Sequence, residues 1–207
     1  MRILWHGHAC FEVIAEEGSL VLDPYAPDSV PGLGPLALTA DAVLCSHGHS
    51  DHNFREAVRL TGRTCGIDVS CIDTWHDDVQ GAKRGPNRIH ILKAEGLTVI
   101  HLGDLGCALS PDEAERMKNP DVLMIPVGGY YTIDAAQAAA VAERLQPRVV
   151  LPMHYRGRTG EGRTFGYDVI SEAGAFRKLC RNPVDYAGNM IEVSGSTPEQ
   201  TAFLMPG

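Results

Sequence analysis

The spacing of apolar residues changes along the chain, and the change predicts two kinds of structural unit. Near the N-terminus, short runs rich in β-branched and aromatic residues alternate with glycine-containing turns, which predicts strands over 2–5, 10–14 and 20–22. A loop rich in proline and glycine follows over 23–35, and a further apolar run predicts a buried strand over 42–46. The first part of the chain is therefore predicted to be mainly β-structure.

Helix signals appear only in the second half. Ser110-Pro111-Asp112-Glu113 combines a capping box with proline at the first helical position, which predicts a helix start. A second helix is predicted from Asp134 to Leu145, with Pro147 just beyond it, and a third over 168–180. Continuous apolar runs, typical of strands buried on both faces, alternate with these helices at 97–102, 122–127 and 149–153. No linker or repeat divides the chain, so we predict a single mixed α/β domain over 1–207.

Composition narrows the class of protein. The chain has 207 residues, of which 44% are hydrophobic and 21% charged, as in ordinary globular proteins. It has no apolar run of the ~18 residues needed to span a bilayer. A formal net charge of -8 disfavours nucleic acid as a partner. The six cysteines form no C-x-x-C pair and no signal peptide is evident, so we expect reduced thiols and a cytoplasmic location.

The highest concentration of potential metal ligands lies directly after the strand predicted over 42–46. Three of the nine histidines and one aspartate fall within six residues, in the segment Ser46-His47-Gly48-His49-Ser50-Asp51-His52. Imidazole and carboxylate are the nitrogen and oxygen ligands that Zn²⁺ binds at about 2.0–2.2 Å. This segment therefore predicts a metal site, and a polar loop that is histidine-rich by chance is the weaker interpretation.

Further ligands are expected at the ends of later strands. Asp104 and His154 each follow a predicted buried strand, where ligand-binding loops of α/β sheets gather. His76 begins a segment, residues 76–87, predicted to be a loop that can reach inward. His101 is the alternative to His76 as a metal ligand. It could instead orient Asp104 through a hydrogen bond without binding metal itself.

Together these motifs resemble the metallo-β-lactamase superfamily. The evidence is the H-x-H-x-D-H segment, a later histidine, the Gly103-Asp104 step and a histidine at a strand end. The G-H-A-C-F stretch over 7–11, Leu22-Asp23-Pro24 and Pro152-Met153-His154-Tyr155 resemble a narrower branch. That branch contains L-ascorbate-6-phosphate lactonase-like and N-acyl-phosphatidylethanolamine phospholipase D-like hydrolases. The resemblance spans about residues 3–155 and implies a four-layer αββα sandwich of two mixed sheets.

The resemblance also implies a ligand set for two metal ions, Zn²⁺ with Mn²⁺ or Fe²⁺ as possible substitutes. One ion would bind His47, His49 and His76. The other would bind Asp51, His52 and His154, and Asp104 would be shared. Asp23 is expected to hydrogen-bond to ligands without binding metal itself.

Two metal ions imply a hydrolytic mechanism, in which a bridging water with its pKa lowered toward ~7 supplies hydroxide. Asp51, Asp104 and His101 are the predicted catalytic side chains. Two Zn²⁺ ions outweigh the two carboxylates, so the predicted substrate is small and anionic: an ester, lactone or phosphodiester. Candidate substrate contacts are the side chains of His8, Tyr130, Tyr155 and Arg156.

The sequence leaves other interpretations open. The same scaffold can hold iron for redox chemistry, although His49 stands where glutamate is typical of the di-iron branch. A non-catalytic metal-binding module is a third possibility. Residues 157–164 nearly match a phosphate-binding loop, but Arg163 replaces its lysine. A short chain leaves no room for an added helical cap, so an open site or a homo-oligomer is expected.

Overall fold

A computed structural model describes residues 1–207. The chain forms sixteen strands, three α-helices and a 3₁₀ helix over Arg55–Ala57. The strands are β1 (Arg2–Gly7), β2 (Cys10–Ala15), β3 (Gly18–Leu22), β4 (Leu38–Ala40), β5 (Ala42–Leu44), β6 (Val58–Leu60), β7 (Asp68–Trp75), β8 (Pro86–Ala94), β9 (Leu97–His101), β10 (Val122–Pro126), β11 (Val149–Met153), β12 (Gly157–Arg158), β13 (Thr164–Phe165), β14 (Pro183–Asp185), β15 (Met190–Glu192) and β16 (Gln200–Phe203). The helices are α1 (Pro111–Arg116), α2 (Ala135–Leu145) and α3 (Gly174–Arg177).

The smaller sheet has five strands in the order β15-β1-β2-β3-β5. Its first four strands are antiparallel to their neighbours, and β5 joins β3 in parallel. The β1–β2 pairing is irregular between Trp5 and Gly7, just before the turn. This irregularity bends the ladder at the point where His8 follows β1, because a bulge locally disrupts pairing and redirects the chain.

The larger sheet has seven strands in the order β14-β16-β11-β10-β9-β8-β7. The pairs β14–β16, β16–β11, β11–β10 and β10–β9 are parallel, whereas β9–β8 and β8–β7 are antiparallel. Every residue of β10 and β11 is buried, as the continuous apolar runs predicted. Parallel strands often have continuous apolar sequences because both of their faces are covered by other layers.

The main core lies between the two sheets. Trp5 of the smaller sheet is 1% exposed, and its ring lies 5.3 Å from that of Tyr155 and 5.8 Å from that of Phe165. On the outer face of the larger sheet, α2 packs against β10. The outer face of the smaller sheet is covered by a second apolar cluster that includes Tyr25, Val30 and Val58.

These layers confirm the predicted fold class, an α/β sandwich of two mixed sheets. The layer over the smaller sheet is thin, because it consists of loop, the β4–β6 pair and the 3₁₀ helix. The predicted starts of α1 and α2 are also confirmed, since Ser110 and Asp134 each form a complete capping box. The longest helix has 11 residues, and none combines the length and hydropathy needed to cross a membrane.

The helix predicted over 168–180 is wrong for most of its length. Only Gly174–Arg177 is helical. Glu172 forms a β-bridge with Arg156, and the amide of Ser171 donates to the carbonyl of Gly128. These backbone bonds to distant segments hold the chain extended. The phosphate-loop-like segment is instead the β12–β13 hairpin, with no helix directly after it.

The β7–β8 hairpin was not predicted. Most residues of β7 are exposed, so the strand lacks a clear apolar pattern. Residues 76–85 form its loop, as predicted around His76, but Pro86 and Asn87 already belong to β8.

Candidate metal centre

The candidate site lies where strand ends of both sheets meet. His8 follows β1, Asp23 follows β3, and residues 46–52 follow β5 in the smaller sheet. In the larger sheet, His76 follows β7, Asp104 follows β9 and His154 follows β11. Side chains from six separated segments therefore converge at the carboxyl ends of strands, the usual location of ligand sites in α/β sheets.

Three groups of side chains offer ligand atoms that lie within 4.8 Å of one another, and one of them, Asp23 with His47 and His52, shares its histidines with the other two. One group, here called the His47 group, contains His47, His49 and His76. Another, the Asp51 group, contains Asp51, His52, His154 and His8. The structure thus brings together the two sets that the resemblance implied and adds His8 to the second.

Asp104 lies between the two groups. Its Oδ2 atom is 3.2 Å from Nε2 of His76 and 4.0 Å from Nε2 of His47. The same oxygen is 3.3 Å from Nε2 of His52 and 3.1 Å from Nε2 of His154. One carboxylate oxygen therefore faces imidazoles of both groups, which is the position expected of a shared ligand.

Asp23 fixes the orientation of two of these imidazoles. Its Oδ2 atom lies 2.8 Å from Nδ1 of His52 and accepts a 2.5 Å hydrogen bond from Oγ of Ser46. Ser46 Oγ in turn lies 2.9 Å from Nδ1 of His47. With Nδ1 of both histidines donating into this network, their Nε2 atoms are the ones available to a metal ion. Asp23 thus makes the hydrogen bonds that the sequence predicted for it.

The Asp104 turn is held by a buried asparagine. The amide of Asp104 donates to Oδ1 of Asn87 at 2.9 Å, and Nδ2 of Asn87 donates to the carbonyl of Leu102 at 3.0 Å. Gly103 adopts φ +55°, and a Cβ there would lie 2.4 Å from Asn87 Oδ1. Glycine is needed at this position because both the conformation and the space exclude a side chain.

The buried carboxylates of the site favour a bound cation. Asp23, Asp51 and Asp104 are largely or fully buried, and their charged neighbours within 4.0 Å are all histidines. Buried carboxylates are costly unless they are paired or coordinate a metal. Nε2 of His47, Nε2 of His52 and Oδ1 of Asp104 are also buried without a hydrogen-bond partner. This donor set fits metal ions.

The pKa values of the side chains agree with that interpretation. Burial lowers the pKa of His47 to about 3, with the charge of His52 as the next cause, and burial also lowers the pKa of His76. Both imidazoles are therefore neutral, which is the form that binds metal. Burial alone would lower the pKa of His52, but Asp104 and Asp23 raise it well above its usual value. These carboxylates favour a positive charge beside them.

His101 does not reach the ligand cluster. Its Nε2 atom lies 2.9 Å from the carbonyl of Ala9, and its Nδ1 atom accepts a hydrogen bond from the amide of Gly103 at 3.1 Å. Both ring nitrogens are therefore used by the backbone. The structure places His101 against the turn that carries Asp104, and it places His76 among the candidate ligands.

The four predicted substrate contacts divide among different environments. His8 is fully buried beside Asp51, and burial, followed by the charge of His154, lowers its pKa to about 4. Tyr155 belongs to the core rather than the site, because its ring packs on Trp5 and it is only 7% exposed. Arg156 lies 3.7 Å from Asp168 and 3.6 Å from Glu172, which balance its charge outside the cluster.

The sequence did not reveal two residues of the site's rim. Tyr167 donates a hydrogen bond to Oδ2 of Asp51 at 3.0 Å, and its ring lies 5.7 Å from that of Tyr131. The guanidinium of Arg84 lies over the Tyr131 ring at 5.5 Å. Tyr130, which was predicted, is 64% exposed and packs edge-on against Tyr131 at 4.8 Å. Nothing in the local sequence around Tyr167 or Arg84 indicates their distant contacts.

Fold and site together define a two-sheet α/β protein with a histidine- and aspartate-rich centre suited to metal binding. The chain belongs to the beta-lactamase superfamily, because the family's domain profile matches residues 2–154. A solved structure from Thermotoga maritima, described as a proposed Zn-dependent hydrolase of the metallo-β-lactamase superfamily, is similar throughout. It has a TM-score of 0.75 and 32% sequence identity, covering 99% of this chain and 98% of that one.

Relatives with similar sequences are also described as metal-dependent hydrolases. A UPF0173 metal-dependent hydrolase of Archaeoglobus fulgidus is 30% identical over 196 residues, covering 75% of this chain and 83% of the relative. A UPF0173 metal-dependent hydrolase of Thermoplasma acidophilum is 28% identical over 187 residues, with the same coverage.

Proposed function

We propose that this protein is a metal-dependent hydrolase that binds two Zn²⁺ ions and cleaves a small anionic ester, lactone or phosphodiester. The observation that carries the proposal is the position of Asp104 between the His47 group and the Asp51 group. The names of the relatives support hydrolysis as the reaction class. The resemblance to the lactonase-like and phospholipase D-like branch supports the choice of bonds.

The candidate ligands divide between the two proposed ions. His47, His49 and His76 would hold one ion, Asp51, His52 and His154 the other, and Asp104 would contact both. Zn²⁺ bound there would lower the pKa of a water toward ~7 and polarise the substrate oxygen that gains charge. Asp51, which is 16% exposed, can accept a hydrogen bond from the nucleophile. His47 and His76 are neutral at neutral pH because burial lowers their pKa values, so both can supply lone pairs to an ion there.

The open side of the centre supports an anionic substrate. His49 is exposed, so substrate can approach over the His47 group. Arg84 has no carboxylate within salt-bridge distance, and its stacking on Tyr131 orients the guanidinium at the rim. Lys83, by contrast, pairs with Asp78 at 3.0 Å. An unpaired, oriented guanidinium is well suited to a carboxylate or phosphate group.

The test replaces an exposed ligand, His49→Ala, with His6→Ala as the matched control. His6 contacts Glu12 at 3.3 Å and lies outside both ligand groups. We expect purified wild type and His6→Ala to bind two equivalents of Zn²⁺ and to hydrolyse p-nitrophenyl esters, lactones or bis(p-nitrophenyl) phosphate. His49→Ala should lose the ion of the His47 group, and turnover with it, while its circular dichroism spectrum stays unchanged. Full turnover by metal-depleted His49→Ala would refute the proposal.

A further inference from the structure

Asp51 is held by two side chains from distant parts of the chain. Its Oδ2 atom accepts a hydrogen bond from the phenol of Tyr167 at 3.0 Å and lies 3.3 Å from Nε2 of His8. Tyr167 comes 116 residues after Asp51, and His8 precedes it by 43. Neither contact follows from local chain geometry, so both depend on the tertiary fold.

Tyr167 is itself fixed by several contacts. Its hydroxyl lies 2.6 Å from the carbonyl of Ser29, so its single proton is shared between that carbonyl and Asp51. The preceding residue, Gly166, donates its amide to the carbonyl of Pro31 at 2.9 Å. The ring meets that of His8 edge-on, with 5.8 Å between centroids. Tyr167 therefore ties Asp51 to the loop that follows β3.

His8 is fixed just as firmly. It adopts φ +52°, a left-handed conformation that is uncommon for residues other than glycine. Its carbonyl accepts hydrogen bonds from Nε1 of Trp5 at 3.0 Å and from the amide of His154 at 3.1 Å. The strained turn is thus bonded both to the core and to another residue of the Asp51 group. Strain that the surroundings enforce in this way is typical of functional sites.

We propose that Tyr167 and His8 are positioning residues that orient the carboxylate of Asp51 toward the ion of the Asp51 group. The proposal rests on the proposed two-metal site. Removing a hydrogen-bond donor that orients a metal ligand typically lowers metal affinity about 10–100-fold. The effect is specific to one ion, because neither residue lies in the His47 group.

The test compares Tyr167→Phe with Tyr131→Phe by Zn²⁺ titration against a chromophoric chelator. Tyr131 is the matched control, since its ring packs against Tyr167 but its hydroxyl makes no hydrogen bond to the site. Each change is made in the His49→Ala background, where the remaining binding step belongs to the Asp51 group. We expect Tyr167→Phe to weaken that step about 10–100-fold and to change the visible absorption of bound Co²⁺. Tyr131→Phe should alter neither.

His8 is tested by a pair of variants in the same background. His8→Gln keeps an N–H donor and should retain more Zn²⁺ affinity than His8→Met, which has none. A second background, Asp51→Asn, leaves the His47 group intact, and Tyr167→Phe should leave its binding step unchanged.

Equal weakening of both steps by Tyr167→Phe would show a general structural role and overturn the proposal, as would no weakening at all. Failure of wild type to bind two ions would overturn it together with the proposed function. Two-ion binding without hydrolysis would refute the function alone, because the affinity measurements do not depend on turnover.

Discussion

At the scale of single residues, one carboxylate decides how the main metal-binding segment presents its imidazoles. Asp23 adopts φ +46° at the end of β3, and it contacts His52 directly and His47 through Ser46. Its pKa is low because the hydrogen bonds and charges of His52, His101 and Ser46 outweigh the effect of burial. Asp23 is therefore ionised and can accept from both donors throughout the neutral pH range.

The first prediction concerns this carboxylate. Asp23→Asn places a neutral amide against Nδ1 of His52 and Oγ of Ser46, so the tautomers that free the Nε2 atoms are no longer favoured. We expect Zn²⁺ affinity to fall about 10–100-fold, as is typical for such partners of metal ligands, measured by competition with a chelator. Asp28→Asn is the control, since Asp28 is exposed and asparagine tolerates its φ of +62°. Equal affinities in the two variants would contradict the assigned role.

At the scale of elements, the site depends on how closely two loops of the larger sheet approach. The amide of Gly106 donates to the carbonyl of Trp75 at 3.0 Å, which joins the loop after β9 to the end of β7. A Cβ at Gly106 would lie 2.3 Å from the carbonyl carbon of His76. Backbone atoms cannot move aside as a flexible side chain can, so glycine is required for this contact.

The second prediction follows from that contact. Gly106→Ala should force the Asp104 loop away from His76, lowering the free energy of unfolding by about 1–3 kcal/mol, as is typical of overpacking. Denaturant unfolding of metal-free protein measures this change, and Zn²⁺ titration should show weaker binding by the His47 group. Gly34→Ala is the control, because nothing lies within 4 Å of its added Cβ. Equal stability of the two variants would contradict the requirement for glycine at this contact.

At the scale of the whole molecule, the centre spans the seam between the sheets. Asp51, His52 and Asp23 belong to loops of the smaller sheet, whereas His76, Asp104 and His154 follow strands of the larger one. A metal ion bound by both sets would link the sheets on the side of the core where their strands end. An unfolded chain has no such arrangement, so binding energy adds to folding energy.

The third prediction is that Zn²⁺ stabilises the protein strongly. At a free concentration 100 times the dissociation constant, one site contributes about 2.7 kcal/mol. For a chain of this size, that should raise the melting temperature by about 5–10 °C, measured calorimetrically before and after chelation. His49→Ala should show a smaller shift. No change in melting temperature with saturating Zn²⁺ would contradict a centre that links the sheets.

Patterns in the sequence were sufficient for the parts of the fold that are regular and buried. The continuous apolar runs located β10 and β11, and capping residues located the starts of α1 and α2. Prediction failed for β7, an edge strand with mostly exposed residues, and for the segment around α3. In those regions pairing with distant backbone, and not local propensity, decides the conformation.

The sequence by itself determined which residue types could bind metal and that they follow strand ends. It left the choice between His76 and His101 open, because both are histidines near predicted strands. Only the tertiary structure separates the two, since the backbone of Ala9 and Gly103 occupies both nitrogens of His101 and His76 lies beside His47 and His49. It also brought Asn87 to Asp104, and Tyr167 to Asp51 across 116 residues. Spacing along a chain specifies neighbours only within an element, and contacts between strand ends exist only once the sheets have packed.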